Sequence, residues 1–144
     1  MNYILDTNVI SELAAREADQ GVVAWIDSID AESVFLSVIT IGELKKGIEK
    51  LPNSKRKRTL ETWLQEDLLV RFRDHILALD IPVLLTWGVL VASLEKQGNP
   101  LPAIDSLLAA TAAQSGFTLA TRNTGHFEPA GISLINPWAT QVDG

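Results

Sequence analysis

The chain opens Met1-Asn-Tyr-Ile-Leu-Asp-Thr-Asn-Val-Ile-Ser-Glu-Leu13, and this stretch decides the fold. Tyr3-Ile4-Leu5 is an apolar run of strand character that stops at Asp6. Thr7 and Asn8 are good helix caps, and Ile10 and Leu13 then fall three apart on one helical face. A strand feeding directly into a helix is the first half of a βαβ unit. Open α/β sheets collect their functional groups at the carboxyl ends of such strands. Asp6 stands at that position, and the residues that could join it are polar groups brought to the same edge.

Working outward, the pattern predicts helices over 7–15 and 19–29, then a β-branched and aromatic strand over 34–38. Thr40 is expected to cap a helix running to about Leu51, stopped by Pro52 and Asn53. The one strong charge run, Lys55-Arg56-Lys57-Arg58, opens a helix expected to reach Arg71. A third strand is expected over 76–79, and Asp80 reads as the cap of a helix over 82–96 closed by Gly98. Asn99-Pro100-Leu101-Pro102 is a rigid connector, and an alanine-rich helix over 103–115 ends at Gly116. A strand over 117–121, a polar loop over 121–127 and a last strand over 132–135 complete the chain. Strands alternating with helices predict an α/β protein with a parallel sheet covered on both faces. Residues 1–144 are expected to form one domain, with about 139–144 as a frayed tail.

Composition narrows the chemistry. With no cysteine, there is no thiolate metal site and no cysteine nucleophile. The two histidines, His75 and His126, form no zinc-binding spacing, and the sequence assigns neither a role. Any metal is therefore expected to be held by oxygen, which favours Mg²⁺ or Mn²⁺. No signal peptide or membrane span is expected, so the chain reads as cytoplasmic. The net charge of −6 argues against a broad nucleic-acid footprint but not against a local one.

Three acids stand out by position: Asp6 after the first strand, Glu43 in the first turn of the helix after the second, and Asp105 in the first turn of the alanine-rich helix. Each also has a purely structural account. Asp6 could cap a helix, Thr40-x-x-Glu43 matches a capping box, and an acid in a first turn suits the helix dipole. Pattern alone does not bring Asp105 to the other two.

The order of motifs resembles a known family. Leu5-Asp6-Thr7-Asn8-Val9-Ile10 is followed by Ser37-Val38-Ile39-Thr40-Ile41-Gly42-Glu43-Leu44. Then come Leu101-Pro102-Ala103-Ile104-Asp105-Ser106 with the alanine-rich run to Ala112, Ala120-Thr121-Arg122-Asn123, Phe127 and Asn136-Pro137-Trp138. Together they resemble PIN-domain ribonucleases of the VapC/FitB toxin type, over essentially the whole chain.

The resemblance implies a three-layer α/β/α sandwich around a short parallel sheet. It implies Asp6, Glu43 and Asp105 as catalytic acids, with Asp6 and Asp105 the direct ligands of Mg²⁺ or Mn²⁺. It implies endonucleolytic cleavage of single-stranded or loop RNA, inhibition by a small VapB/FitA-like antitoxin, and a homodimer within larger complexes. Thr7, Asn8, Thr121 and Asn123 are candidate supports for the acids. Lys45, Lys46, Lys55, Arg56 and Arg122 are candidate RNA or antitoxin contacts, and the amphipathic helix around Trp63 a candidate antitoxin surface. Asn123 departs from the pattern, standing where such domains often have a fourth acid. This favours a single tightly held ion and keeps open a catalytically weakened, binding-only PIN-like module. A receiver-like module is the other alternative. It would want an acidic pair at the first strand end, where only Asp6 stands.

Overall fold

The computed structural model describes residues 1–139; 140–144, which hold most of the expected frayed tail, lie outside the described residues. Five strands, β1 (Tyr3–Leu5), β2 (Val34–Ser37), β3 (Ile76–Leu77), β4 (Thr118–Ala120) and β5 (Leu134–Ile135), pair in parallel in the order β3-β2-β1-β4-β5. The helices are α1 (Thr7–Leu13), α2 (Gln20–Asp27), α3 (Val38–Glu49), α4 (Lys55–Thr62), α5 (Leu69–Arg71), α6 (Ile81–Lys96), α7 (Ala103–Ser115) and α8 (Thr124–Phe127).

The strands are short because capping residues end them. Asp6 caps α1, Ser37 caps α3 by accepting from the Ile39 N–H at 3.1 Å, and Asp80 caps α6 by accepting from the Val83 N–H at 3.1 Å. Alternating side chains of the strands serve two cores. Leu5, Leu36 and Ala120 face α1, α2, α3 and the Trp63–Leu68 turn, whereas Ile4 and Leu119 face α7 and Phe127. Ile4, Leu5, Leu36 and Leu119 have no exposed surface, and each contributes about 1.5–3 kcal/mol by burial. The result is the expected α/β/α sandwich.

Several boundaries differ from the sequence expectation. The helix expected to start at Thr40 starts at Val38, so Thr40 lies inside it and is fully buried. The helix expected over 55–71 is interrupted by a π-helical turn, Trp63–Leu68, in which Leu64 and Leu68 both bury. The third strand ends at Leu77 and the last begins at Leu134. The polar loop after β4 contains α8, because Phe127 is driven into the core with no exposed surface.

The chain builds outward from β1 through β2 to β3, then returns to the other side of β1 for β4 and β5. The strand order thus reverses between β1 and β4, the place where open α/β sheets form a crevice at their carboxyl edge.

Candidate active site

Asp6 and Thr121 leave the sheet side by side at that reversal, one residue beyond the Leu5–Ala120 pair. Asp6 has 8% of its surface exposed. One carboxylate oxygen, Oδ1, accepts from the Thr7 backbone N–H at 2.7 Å. The other, Oδ2, accepts from the Thr121 hydroxyl at 2.8 Å and, at 3.4 Å, from the Asn8 amide. Asp6 is thus a helix cap, as its structural account held, but half of its carboxylate is turned to β4.

Thr121 is fully buried and joins the strand ends, because its Oγ1 also accepts from the Asn123 backbone N–H at 3.1 Å. Asn8 adds a second link: its amide reaches Thr121 Oγ1 at 3.4 Å and its Oδ1 accepts from the Arg122 N–H at 3.4 Å. Thr7, Asn8 and Thr121 therefore hold the Asp6 carboxylate, and Asn123 reaches it only through Thr121. Asn123 takes part through its backbone, and its side chain makes no capping bond.

Glu43 comes from the second turn of α3, because that helix is capped at Ser37. The capping-box account of Glu43 is thereby overturned. Its Oε1 accepts instead from the Thr7 hydroxyl at 2.6 Å, and Thr7 Oγ1 lies 3.2 Å from Thr40 Oγ1. Asp105 is in the first turn of α7, as expected, where the dipole favours it. Its Oδ2 lies 3.1 Å from Nε2 of His126, a residue that sequence reasoning left without a role. No sequence signal placed His126 here, since α8 itself was not expected.

The Asp6 carboxyl is held above its usual range, first by burial and then by the charges of Asp105 and Glu43. The Thr121 and Thr7 hydrogen bonds oppose the shift. Acids from β1, α3 and α7 are thus close enough to feel one another. Their donor set is all oxygen and suits a hard divalent cation. Among the described residues, no three His, Asp or Glu side chains are drawn tightly enough to grip an ion as they stand. Thr7 engages only Oε1 of Glu43 and His126 only Oδ2 of Asp105, so an ion held here would use their other oxygens or bridging water.

The basic candidates separate. The Arg122 guanidinium lies over the Trp138 ring at 5.1 Å, and the Arg122 carbonyl accepts from Asn136 at 3.4 Å, so the Asn136-Pro137-Trp138 segment pins it at the rim of the site. Lys45 pairs with Glu49 at 2.8 Å, whereas Lys46, three residues after Glu43, has an exposed side chain. Lys55 and Arg56 begin α4, whose Lys57 bonds the Glu49 carbonyl at 3.3 Å at the far end of α3. Twelve residues of α3 put that end about 18 Å from the helix start, and the structure does not bring Lys55 and Arg56 to the acids.

A cavity of about 520 Å³ opens beside α1, α2 and the π turn, lined by Ile10, Leu13, Val23, Ile26, Trp63 and Phe72 among others. Trp63 thus faces a groove, while Trp25 is core, edge-on to Tyr3 at 5.3 Å. No helix of the described residues is long and apolar enough to cross a membrane.

Comparison with known proteins agrees with this architecture. The PIN domain model matches residues 3–131. The chain is 41% identical to toxin FitB of Neisseria gonorrhoeae over 94% of its own length and 97% of FitB. It is 39% identical to VapC ribonuclease Y4jK of Sinorhizobium fredii over 94% of its length and 96% of that protein. It also superposes on the structure of FitAB bound to an IR36 DNA fragment with a TM-score of 0.92 and 37% identity, covering 99% of both chains. With Asp6 at the strand-order reversal of a five-stranded parallel sheet, Glu43 and Asp105 near enough to act on its charge, and a family match over most of its length, the chain belongs to the PIN domain family, among relatives of the VapC and FitB kind.

Proposed function

We propose that this protein is the toxin of a toxin–antitoxin pair and acts as a divalent-metal-dependent endoribonuclease. The carrying observation is that Asp6, Glu43 and Asp105, from three distant segments, interact electrostatically at one sheet edge. Relatives named as a ribonuclease and a toxin supply the substrate class and the biological role. Asp6 and Asp105 are the residues to hold Mg²⁺ or Mn²⁺. Bound there, the ion would supply an activated water and would offset charge on the scissile phosphate. Glu43, anchored through Thr7, would orient that water and take up its proton. Asn123 adds no charge, which supports one tight ion rather than two.

A FitA-like antitoxin is the expected protein partner, by likeness to FitB in FitAB. The groove lined by Ile10, Ile26 and Trp63 suits an apolar antitoxin segment. A second copy suits α6, which carries no charged residue from Ile81 to Leu94 and exposes Ile81, Leu85 and Val89 by 68–75%. Arg122 and Lys46 are the basic groups best placed to meet RNA phosphates.

The test is incubation of the protein with total RNA and Mg²⁺ or Mn²⁺. Wild type should release metal-dependent fragments. Asp6→Asn and Asp105→Asn should be slower by more than about 100-fold, beyond what loss of a supporting group alone costs. Equal cleavage by the variants would mean that the site is wrong. No cleavage by wild type with either metal would leave the binding-only module, the reading that Asn123 keeps open.

A further inference from the structure

The three acids do not account for what holds Asp105. Its side chain is 33% exposed on the first turn of α7, where a carboxylate in water turns freely. Among the described residues, the side chain bonded to it is that of His126, at 3.1 Å from Oδ2. An ionised carboxylate only accepts, so the imidazole donates from Nε2.

Both partners are fixed from behind. Phe127, next to His126, is fully buried, and its ring meets the imidazole edge-on at 5.3 Å and 82°. The His126 N–H closes the turn by donating to the Asn123 carbonyl at 3.1 Å. Next to Asp105, Ser106 is 2% exposed. Ser106 Oγ accepts from Trp87 Nε1 at 2.8 Å and donates to the Ala103 carbonyl at 2.6 Å. An ordinary surface histidine–aspartate pair spends side-chain entropy to hold two mobile groups together. Here the backbone on each side of the contact is already immobilised by a buried neighbour.

We propose that His126 is the positioning residue for Asp105. It restrains Oδ2 and leaves Oδ1 for a divalent cation, a support delivered from the same loop in which Asn123 contributes no charge. The proposal rests on the metal reading above. Groups that hold a ligand in this way are worth about 10- to 100-fold in metal affinity.

The experiment is calorimetric titration of Mn²⁺ into the RNA-free protein, for wild type, His126→Ala, His126→Gln and both changes in an Asp105→Ala background. Nitrogen NMR of the His126 ring in metal-free wild type and Asp105→Ala accompanies it. His126→Ala should bind Mn²⁺ at least about 10-fold more weakly at unchanged melting temperature. His126→Gln, which keeps an N–H donor at similar reach, should recover to within about threefold. In the Asp105→Ala background His126→Ala should have no further effect, and the ring-nitrogen shifts should move when Asp105 is removed. Unchanged affinity in His126→Ala overturns the proposal, as does a full 10-fold loss without Asp105. Wild type that takes up no Mn²⁺ overturns the metal reading and this one with it. Wild type that binds Mn²⁺ no better than His126→Ala sinks the positioning role alone.

Discussion

Thr121 offers a way to weigh the hydrogen bonds around Asp6 separately from packing. Thr121→Val keeps the shape of a fully buried side chain and removes only the hydroxyl. Thr121→Ser keeps the hydroxyl and removes a methyl group. The hydroxyl donates to Asp6 Oδ2 at 2.8 Å, and a bond to a charged acceptor is worth about 1.5–3 kcal/mol. It also accepts from the Asn123 N–H, but Asn123 is exposed, so water can replace that bond at little cost. Thr121→Val should therefore cost about 2 kcal/mol at pH 7. Thr121→Ser should cost about 1 kcal/mol, the burial of one methyl. At roughly 3–4 °C per kcal/mol for a chain of this size, the valine variant should melt about 6–8 °C below wild type.

The dependence on pH has a definite sign. The folded Asp6 carboxyl is raised above 3.8, chiefly by burial. Its ionised form therefore weakens the fold above the folded value, and that burden is absent below 3.8. Losing the Thr121 bond raises the carboxyl further, so the gap between wild type and Thr121→Val should narrow as pH falls through the Asp6 titration. Urea unfolding at pH 7 and in the acid range measures both quantities. A valine variant less damaging than serine at pH 7, or a gap that widens in acid, refutes the reasoning.

Other outcomes follow from the same geometry. Asp6→Asn removes a buried charge but turns one of two accepting oxygens into a donor, so the metal-free variant should compare better with wild type at pH 7 than toward pH 3.8, where the wild-type carboxyl is neutral; thermal melts across pH check this. Phe127→Ala should cost about 3–5 kcal/mol by leaving a cavity under α8, and should weaken Mn²⁺ binding as well, since His126 is carried by that turn. Asp74 has a φ of 67°, a left-handed conformation in a non-glycine residue. Asp74→Gly should therefore raise stability by about 0.5 kcal/mol in denaturant titration, the relief of strain less the added chain entropy. Leu85→Glu on the exposed face of α6 should shift any dimer toward monomer in light scattering without slowing cleavage per site.

Much of this protein was legible in the one-dimensional pattern. Tyr3-Ile4-Leu5 ending at Asp6 is a strand and a cap by local chemistry alone, and the same grammar located β2 and α7. The order of acids carried the family resemblance because strand ends and helix starts of a parallel sheet share an edge. Whatever depended on a partner distant in the chain escaped. Thr40 looks like a cap, but Ser37 takes that role one turn earlier, and the buried Thr40 meets Thr7 instead. That shift moves Glu43 into the second turn and gives its carboxylate to a hydroxyl 36 residues away. The turn after β4 is polar in sequence and helical in space, since burying Phe127 outweighs the poor helix propensity around it. His126 had no partner within the chain's local spacing and found Asp105 21 residues back. Sequence by itself determined most of the elements and the caps at Asp6 and Asp80, and singled out three candidate acids, because these follow from near-neighbour chemistry and the order of motifs. Only the tertiary structure decided which groups hold each acid in place, because that depends on where the β1–β4 reversal brings separate segments together.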